Sequence, residues 1–326
     1  MPSAIAETKS YLKGLDDFYR REIEPWLRSR EAERAAAIRR RWWIIGGGLA
    51  GAAILAIALW LTQLHPLWLL LPTAIAIVAM IVGGLATARL SREVKAYLAG
   101  KLAAFFGFTY QAAPTDDPTS RFYQLGLIPS HDRRSLEDQW SGSVAGVQFS
   151  LVEAMLEERR TERDSKGNTE TRYHTVFRGV LLTLAYPRPF QGTITIRRDL
   201  GKIFNWFREK FSSQTPVRFE DPDFEAQFEV FADDPAEARR LLDPLVRRRI
   251  AALAGDQSLT MALGAGQVLL AIKGDDRFEL SSLGNTLVDP ERVRRMAGEI
   301  GIVFDVIDGL DLRPRAQSGV GAPQSS

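Results

Sequence analysis

Few residues in this chain are of a type and spacing that could do chemistry, and the first question is what each could support. The 326 residues include three histidines, His65, His131 and His174, and no cysteine. Scattered over three segments without an HExxH or comparable ligand spacing, the imidazoles do not predict a zinc site. The lack of thiols excludes disulfides, thiolate metal sites and a cysteine nucleophile, and fits a reducing cytoplasm. No GxSxG elbow, GxxxxGK[ST] loop or kinase signature occurs. Glu220, Asp221, Asp223 and Glu225 bring together the carboxylates that a divalent ion requires. They lack the ordered spacing of a calcium loop and surround Pro222, so a solvated turn is the preferred reading.

Two further signals have structural alternatives. Arg178 lies between apolar strand residues in Val176-Phe177-Arg178-Gly179 and points away from Phe177. It could contact an anion or pair with an acid across a sheet, and pairing is preferred. Gly46, Gly48 and Gly51 spell GxGxxG, but no strand precedes them, so the dinucleotide reading fails on context. Neither a cofactor nor a metal is expected.

The elements around these residues are dominated by two uncharged stretches. Residues 42–61 and 67–88 each span roughly 30 Å as a helix at about 1.5 Å per residue, the thickness of a bilayer's hydrocarbon core. Thr62 to Pro66 leave room only for a tight turn, so residues 42–88 read as a transmembrane hairpin. Arg39, Arg40 and Arg41 precede it and Arg89, Arg92 and Lys95 follow it, whereas the turn has no charge. Basic flanks are retained in the cytoplasm, so both termini are expected there. Trp42 and Trp43 at one boundary and Trp60 and Trp68 at the other fit the interfacial preference of indoles. Gly47 and Gly51, spaced as GxxxG, could admit close approach of the second helix through Gly83 and Gly84, or could merely fill an Ala-rich helix. The first span is expected to act as its own insertion signal, because no cleavable signal peptide precedes it.

Ahead of the hairpin, residues 1–41 read as a cytoplasmic helical arm of two helices broken at Pro25. Beyond it, residues 89–110 form a membrane-proximal helix whose apolar positions Leu90, Val94, Leu98, Leu102, Phe105 and Phe106 need a partner, expected to be the soluble domain. Residues 111–313 read as a cytoplasmic domain, with a linker at 111–120 and a tail at 314–326 too rich in Pro, Gly and Ser to order itself. Strand patterns run from Trp140, over 176–186, 193–197, 224–231, 259–263 and 267–273. The charged segment 158–172 reads as an exposed hairpin tip. Helices are expected after Asp199, from Asp234-Pro235 to about Gly255, and from Asp289-Pro290 through Ile307, with one more short strand near Phe278. The fold class is α+β: a two-helix transmembrane hairpin followed by a mainly antiparallel sheet domain with packed helices. Residues 115–313 are expected to fold without the hairpin.

Several motifs together resemble one family. Phe18-Tyr19 and Pro25 in a charged helix, the two-span hairpin, Trp140-x-Gly142, Val176 to Gly179, and FEAQFEVFADD-PAEARRLL from Phe224 to Leu242 are similar to the uncharacterised bacterial membrane family catalogued as domain of unknown function 3137. The resemblance extends over nearly all of residues 10 to 312. It implies a bacterial inner-membrane location, and carries no reaction or catalytic residues.

The net charge of +2 gives no field that would draw nucleic acid. The partners expected are the lipid bilayer and another membrane or cytoplasmic protein, with homo-oligomers through the hairpin left open. Two function classes remain: a membrane-tethered binding or scaffold module, and a membrane-associated enzyme working through carboxylates that the sequence does not single out. Transport is disfavoured because neither span holds an ionisable residue.

Overall fold

The computed structural model describes residues 9–62, 66–163, 169–186, 192–198, 214–255, 258–274 and 283–313. Gln63 to His65, the centre of the charged tip at 164–168, the helix expected from Asp199, the strand near Phe278 and the tail from residue 314 lie outside them. The chain divides into two compact units: Met1–Phe106 with Glu279–Ala297, and Gly107–Phe278 with Gly298–Ser326.

The first unit is helical. After α1 (Leu15–Phe18), a π-helical turn Tyr19–Ile23 leads directly into α2 (Glu24–Leu61). The break expected at Pro25 is absent. Proline is tolerated in the first turn of a helix, where its missing N–H has no intrahelical role, and the wider π turn ahead of it takes up the misfit. A 3-10 turn, Pro66–Leu69, opens α3 (Leu70–Phe106). Both helices are long and apolar enough to cross a membrane, and only 6% and 11% of their most apolar windows are buried. A soluble core helix would be covered; these stretches are not.

Outside those windows the same two helices pack tightly. Leu90, Val94, Leu98 and Leu102, four residues apart, are buried in α3, as are Leu15, Tyr19, Ile23 and Leu27 on the arm. Trp26 stacks on Tyr97 with centroids 3.8 Å apart, Phe18 meets Phe105 at 5.1 Å, and Tyr97 donates to the Glu22 carbonyl at 2.8 Å. Within this unit, the apolar face of residues 90–106 therefore packs against the N-terminal arm. The arm and the membrane-proximal helix are two sides of one stem.

Among the described residues, the second unit is built on nine antiparallel strands: β1 (Thr109–Gln111), β2 (Arg133–Val144), β3 (Val147–Arg163), β4 (Thr169–Ala185), β5 (Thr193–Arg198), β6 (Thr215–Pro216), β7 (Glu229–Ala232), β8 (Leu259–Gly264) and β9 (Gln267–Lys273). Their order is β1-β2-β3-β4-β9-β8-β5-β7-β6. Trp140, Leu151, Leu182, Leu270, Met261, Ile196 and Val230 are aligned in register across seven strands, each at most 4% exposed. The opposite face buries Ala154, Leu156, Phe177, Leu181 and Ala271 with Phe122, Leu127 and Ile128. Apolar cover on both faces explains why β8 and β9 read as nearly continuous apolar runs. The turn Ala265-Gly266, with φ of 49° and 72°, gives these two strands the left-handed pair that a two-residue hairpin requires.

Short helices complete the sheet unit: α4 (Thr119–Gln124), α5 (Pro222–Glu225), α6 (Pro235–Leu241), α7 (Pro244–Ala254) and α9 (Ile302–Gly309). Between the last two in chain order comes α8 (Pro290–Ile300), most of which belongs to the first unit. Several boundaries differ from expectation for identifiable reasons. β2 starts at Arg133 rather than Trp140, because a bulge with Asp138 at φ 51° buries Asp138, Gln139 and Trp140 in succession and erases the alternation. The strand expected over 224–231 is only Glu229–Ala232, because Asp221 caps α5 by accepting from the Phe224 amide at 3.2 Å. The helix expected to run to Gly255 is two, since Asp243-Pro244 starts afresh with the carboxylate accepting from Leu245 and Val246. The final helix is likewise divided at Gly301.

Candidate functional site

The acidic cluster is dispersed into structural roles. Asp221 caps α5 and also accepts from buried Arg247 at 3.0 Å, a bond that holds its carboxyl below the usual range. Glu225 accepts from the Phe219 amide at 2.6 Å. Among the described residues, no group of three or more His, Asp or Glu could hold a metal ion. His131 lies beside the Pro129 carbonyl, and His174 faces Glu158 across the β3–β4 ribbon. Arg178 is exposed and places Nη2 2.9 Å from Met155 Sδ, the residue opposite it in β3. Among the described residues, no acid pairs with it across the sheet.

The motif glycines have clear physical reasons. At Gly179 the backbone has φ 153°, and an added Cβ would lie 2.0 Å from the Ile272 carbonyl oxygen, so β4 and β9 can pair there only without a side chain. Gly142 leaves room for the ring of Phe108, 2.9 Å from its would-be Cβ.

Within the helical unit, the apolar helices cross at Gly48, whose added Cβ would sit 2.2 Å from Ala79 Cβ, and at Gly83, 2.6 Å from Ile45 Cγ1. Gly47, Gly51 and Gly84 have open space where a Cβ would be. The close approach thus uses Gly48 and Gly83 rather than the GxxxG pair, and the GxGxxG glycines lie in the middle of α2. Arg39, Arg40, Arg41, Arg89 and Arg92 are all exposed, and Lys95 is partly so.

The most elaborate polar arrangement in that unit was not singled out by the sequence. The segment from Leu283 into α8 is fastened to the stem at three points. Arg34 Nη1 donates to the Leu283 carbonyl at 2.9 Å, Glu31 accepts from the Leu287 amide at 3.0 Å, and Arg294 grips Asp16. Burial raises the Glu31 carboxyl, but bonds from Arg34, Leu287 and Thr286 outweigh it and hold the group below its ordinary value. Between these points Arg292 is 4% exposed, and its Nε and Nη1, like the Tyr19 hydroxyl, are buried without a hydrogen-bond partner among the described residues. Burial lowers the Arg292 pKa and raises that of Tyr19. Contacts spanning some 250 residues leave no local pattern, so no sequence window could have revealed them.

In the sheet unit the half-buried Tyr110 hydroxyl donates to buried Asp138 Oδ1 at 2.6 Å. Burial first, and then this carboxylate, push the phenol's pKa upward. The bulge that turns Asp138 inward also makes its role invisible to an alternation rule.

The described chain is thus an α+β protein: two long apolar helices followed by a mainly antiparallel sheet with short helices. Residues 175–312 match the model of a family described as Protein of unknown function (DUF3137), which bears out the resemblance over that part of the chain. The matched part contains the Val176 to Gly179 and Phe224 to Leu242 motifs and leaves Trp140-x-Gly142 and the apolar helices outside. No curated protein matches the chain. A solved structure, the crystal structure of the mycobacterial trehalose monomycolate transport factor A, TtfA, is similar at 14% identity and a TM-score of 0.32, covering 70% of this chain and 99% of that one.

Proposed function

We propose that the protein is a membrane-anchored binding or scaffold module of the bacterial inner membrane. In this reading α2 and α3 cross the bilayer as a hairpin, both termini and the sheet unit are cytoplasmic, and the sheet unit engages another membrane or cytoplasmic protein. The observation that carries the reading is a contrast within the same two helices. Almost none of their apolar windows is buried, whereas their charged continuations pack into a buried stem. Exposed apolar surface of that size calls for lipid. The basic residues all flank one end of the hairpin, which favours that end for the cytoplasm.

Reporter fusions test the topology. A reporter active only outside the cytoplasm should be silent at Ser326 and active when inserted between Gln63 and Leu64; the reverse pattern overturns the orientation. Photocrosslinkers at Arg160 and Arg172, both exposed in β3 and β4, test the binding half in cells. A discrete adduct with one other protein, lost on competition with the untagged chain, is expected. Adducts only to lipid or to no defined species would overturn it.

A further inference from the structure

We infer that the band of arginines at the charged end of the apolar helices is a recognition surface for acidic phospholipid headgroups, beyond its part in setting topology. The inference rests on the membrane-spanning reading. The crossing contacts fix the relative heights of the two helices: Ile45 lies against Gly83 and Gly48 against Ala79, and the Arg41 carbonyl oxygen is 3.4 Å from the would-be Cβ of Gly83. That antiparallel register brings Arg39 level with Arg89 to within about a turn. Three consecutive arginines from one helix and Arg89 from the other therefore share one height, with Arg92 about a turn beyond. All five are exposed, and no salt bridge to Arg39, Arg40 or Arg41 is found among the described residues. The nearest acid on α3, Glu93, is taken by Arg89 at 2.9 Å.

Immediately on the apolar side of this band stand Trp42 and Trp43, 66% and 79% exposed. Indoles settle at headgroup depth, so they fix the guanidinium groups at the level of lipid phosphates. Consecutive residues on a helix point in directions about 100° apart, so Arg39, Arg40 and Arg41 fan around α2 and can each meet a different headgroup. Guanidinium binds phosphate through paired N–H donors, and juxtamembrane basic residues gain from anionic lipid. The ligand class is a phosphodiester headgroup with net negative charge.

The test uses the full chain in nanodiscs of phosphatidylcholine with a minor fraction of phosphatidylglycerol, counting lipids retained by native mass spectrometry after release. The wild type should retain phosphatidylglycerol preferentially, and R39Q/R40Q/R41Q should lose about tenfold of that preference. R39K/R40K/R41K, which keeps the charge, should retain most of it. Raising salt from roughly 0.05 to 0.5 M, which shortens the screening length, should erode the wild-type preference even if the glutamine variant fails to fold. Equal retention of the two lipids, or a preference unaffected by both salt and the glutamines, overturns the inference. Resistance of the wild type to alkaline extraction from native membranes is scored separately. If that fails, the membrane-spanning reading falls; if it holds while lipid preference is absent, only the lipid surface falls.

Discussion

Arg294 grips Asp16 side-on: Nη2 lies 2.9 Å from both carboxylate oxygens and Nε 3.0 Å from one of them, joining residues 278 positions apart. The pair fastens α8 to the first turn of the stem. Both side chains are partly exposed, so solvent screens the attraction. A double-mutant cycle with Asp16→Asn and Arg294→Gln, read by chemical denaturation of the full chain in detergent, should give a coupling of about 0.5–1 kcal/mol. Additive effects would mean that the pair contributes nothing beyond its separate residues.

Arg292, two positions earlier, should behave in the opposite sense. Each buried donor left unmatched costs about 1–3 kcal/mol, and Arg292 has two. Replacing it with methionine, apolar and comparably long, should raise the unfolding free energy of the helical unit by about 1–3 kcal/mol. A loss of stability on Arg292→Met would show that those N–H groups are satisfied in solution.

The docked segment should also respond to acid. Because the Glu31 carboxyl is held below its ordinary value, its contribution is fully present above about pH 4.3 and is lost as pH falls through the lowered folded-state pKa. Glu31→Gln removes this dependence. The thermal midpoint of the wild type should fall more steeply than that of the variant between about pH 5 and pH 3. Superimposable curves would remove Glu31 from the account.

For the sheet unit the sharpest substitution is Gly179→Ala. The added methyl would meet the Ile272 carbonyl at 2.0 Å on a backbone that side chains rarely adopt, so a loss of about 3 kcal/mol or more is expected. Gly100→Ala, in the interior of α3 with nothing within 4 Å, should instead stabilise by about 0.5–1 kcal/mol. Urea denaturation of both variants checks the contrast.

How much of this was legible in the sequence depends on the range of the force involved. The two apolar helices, the β8–β9 hairpin and the Asp-Pro helix starts at Asp234 and Asp289 follow from local composition and were readable. Local rules failed where a second local signal competed. Asp221-Pro222 won a helical turn out of an alternating run, Asp243-Pro244 interrupted one helical pattern, and the Asp138 bulge concealed the start of β2. What lay beyond reading was long-range partnership. Leu90 to Phe106 visibly needed an apolar partner, but its packing on the arm within the helical unit depended on Trp26 meeting Tyr97, which no window contains. For the same reason residues 111–313 read as one domain, whereas Leu283 to Ala297 belongs with the stem. The candidate site residues fared likewise: the basic flank was plain from its composition, while Arg292 and Tyr19 had no signature at all.

The fastening of Leu283 to Arg34 also has a consequence in time. The arm and both apolar helices leave the ribosome first, and the segment that completes their unit follows 249 residues after Arg34. At about 5–20 residues per second, the stem waits on the order of 10 to 50 s for it. During that interval the groups that will receive the segment, among them Asp16 and Glu31, are without these native partners, and any chaperone or second chain that meets the nascent protein encounters the vacant berth. Closure by α8 must wait for residues 283–297, so a chain cut short before them would keep both apolar helices while leaving that berth open, a difference that a quality-control protease could read.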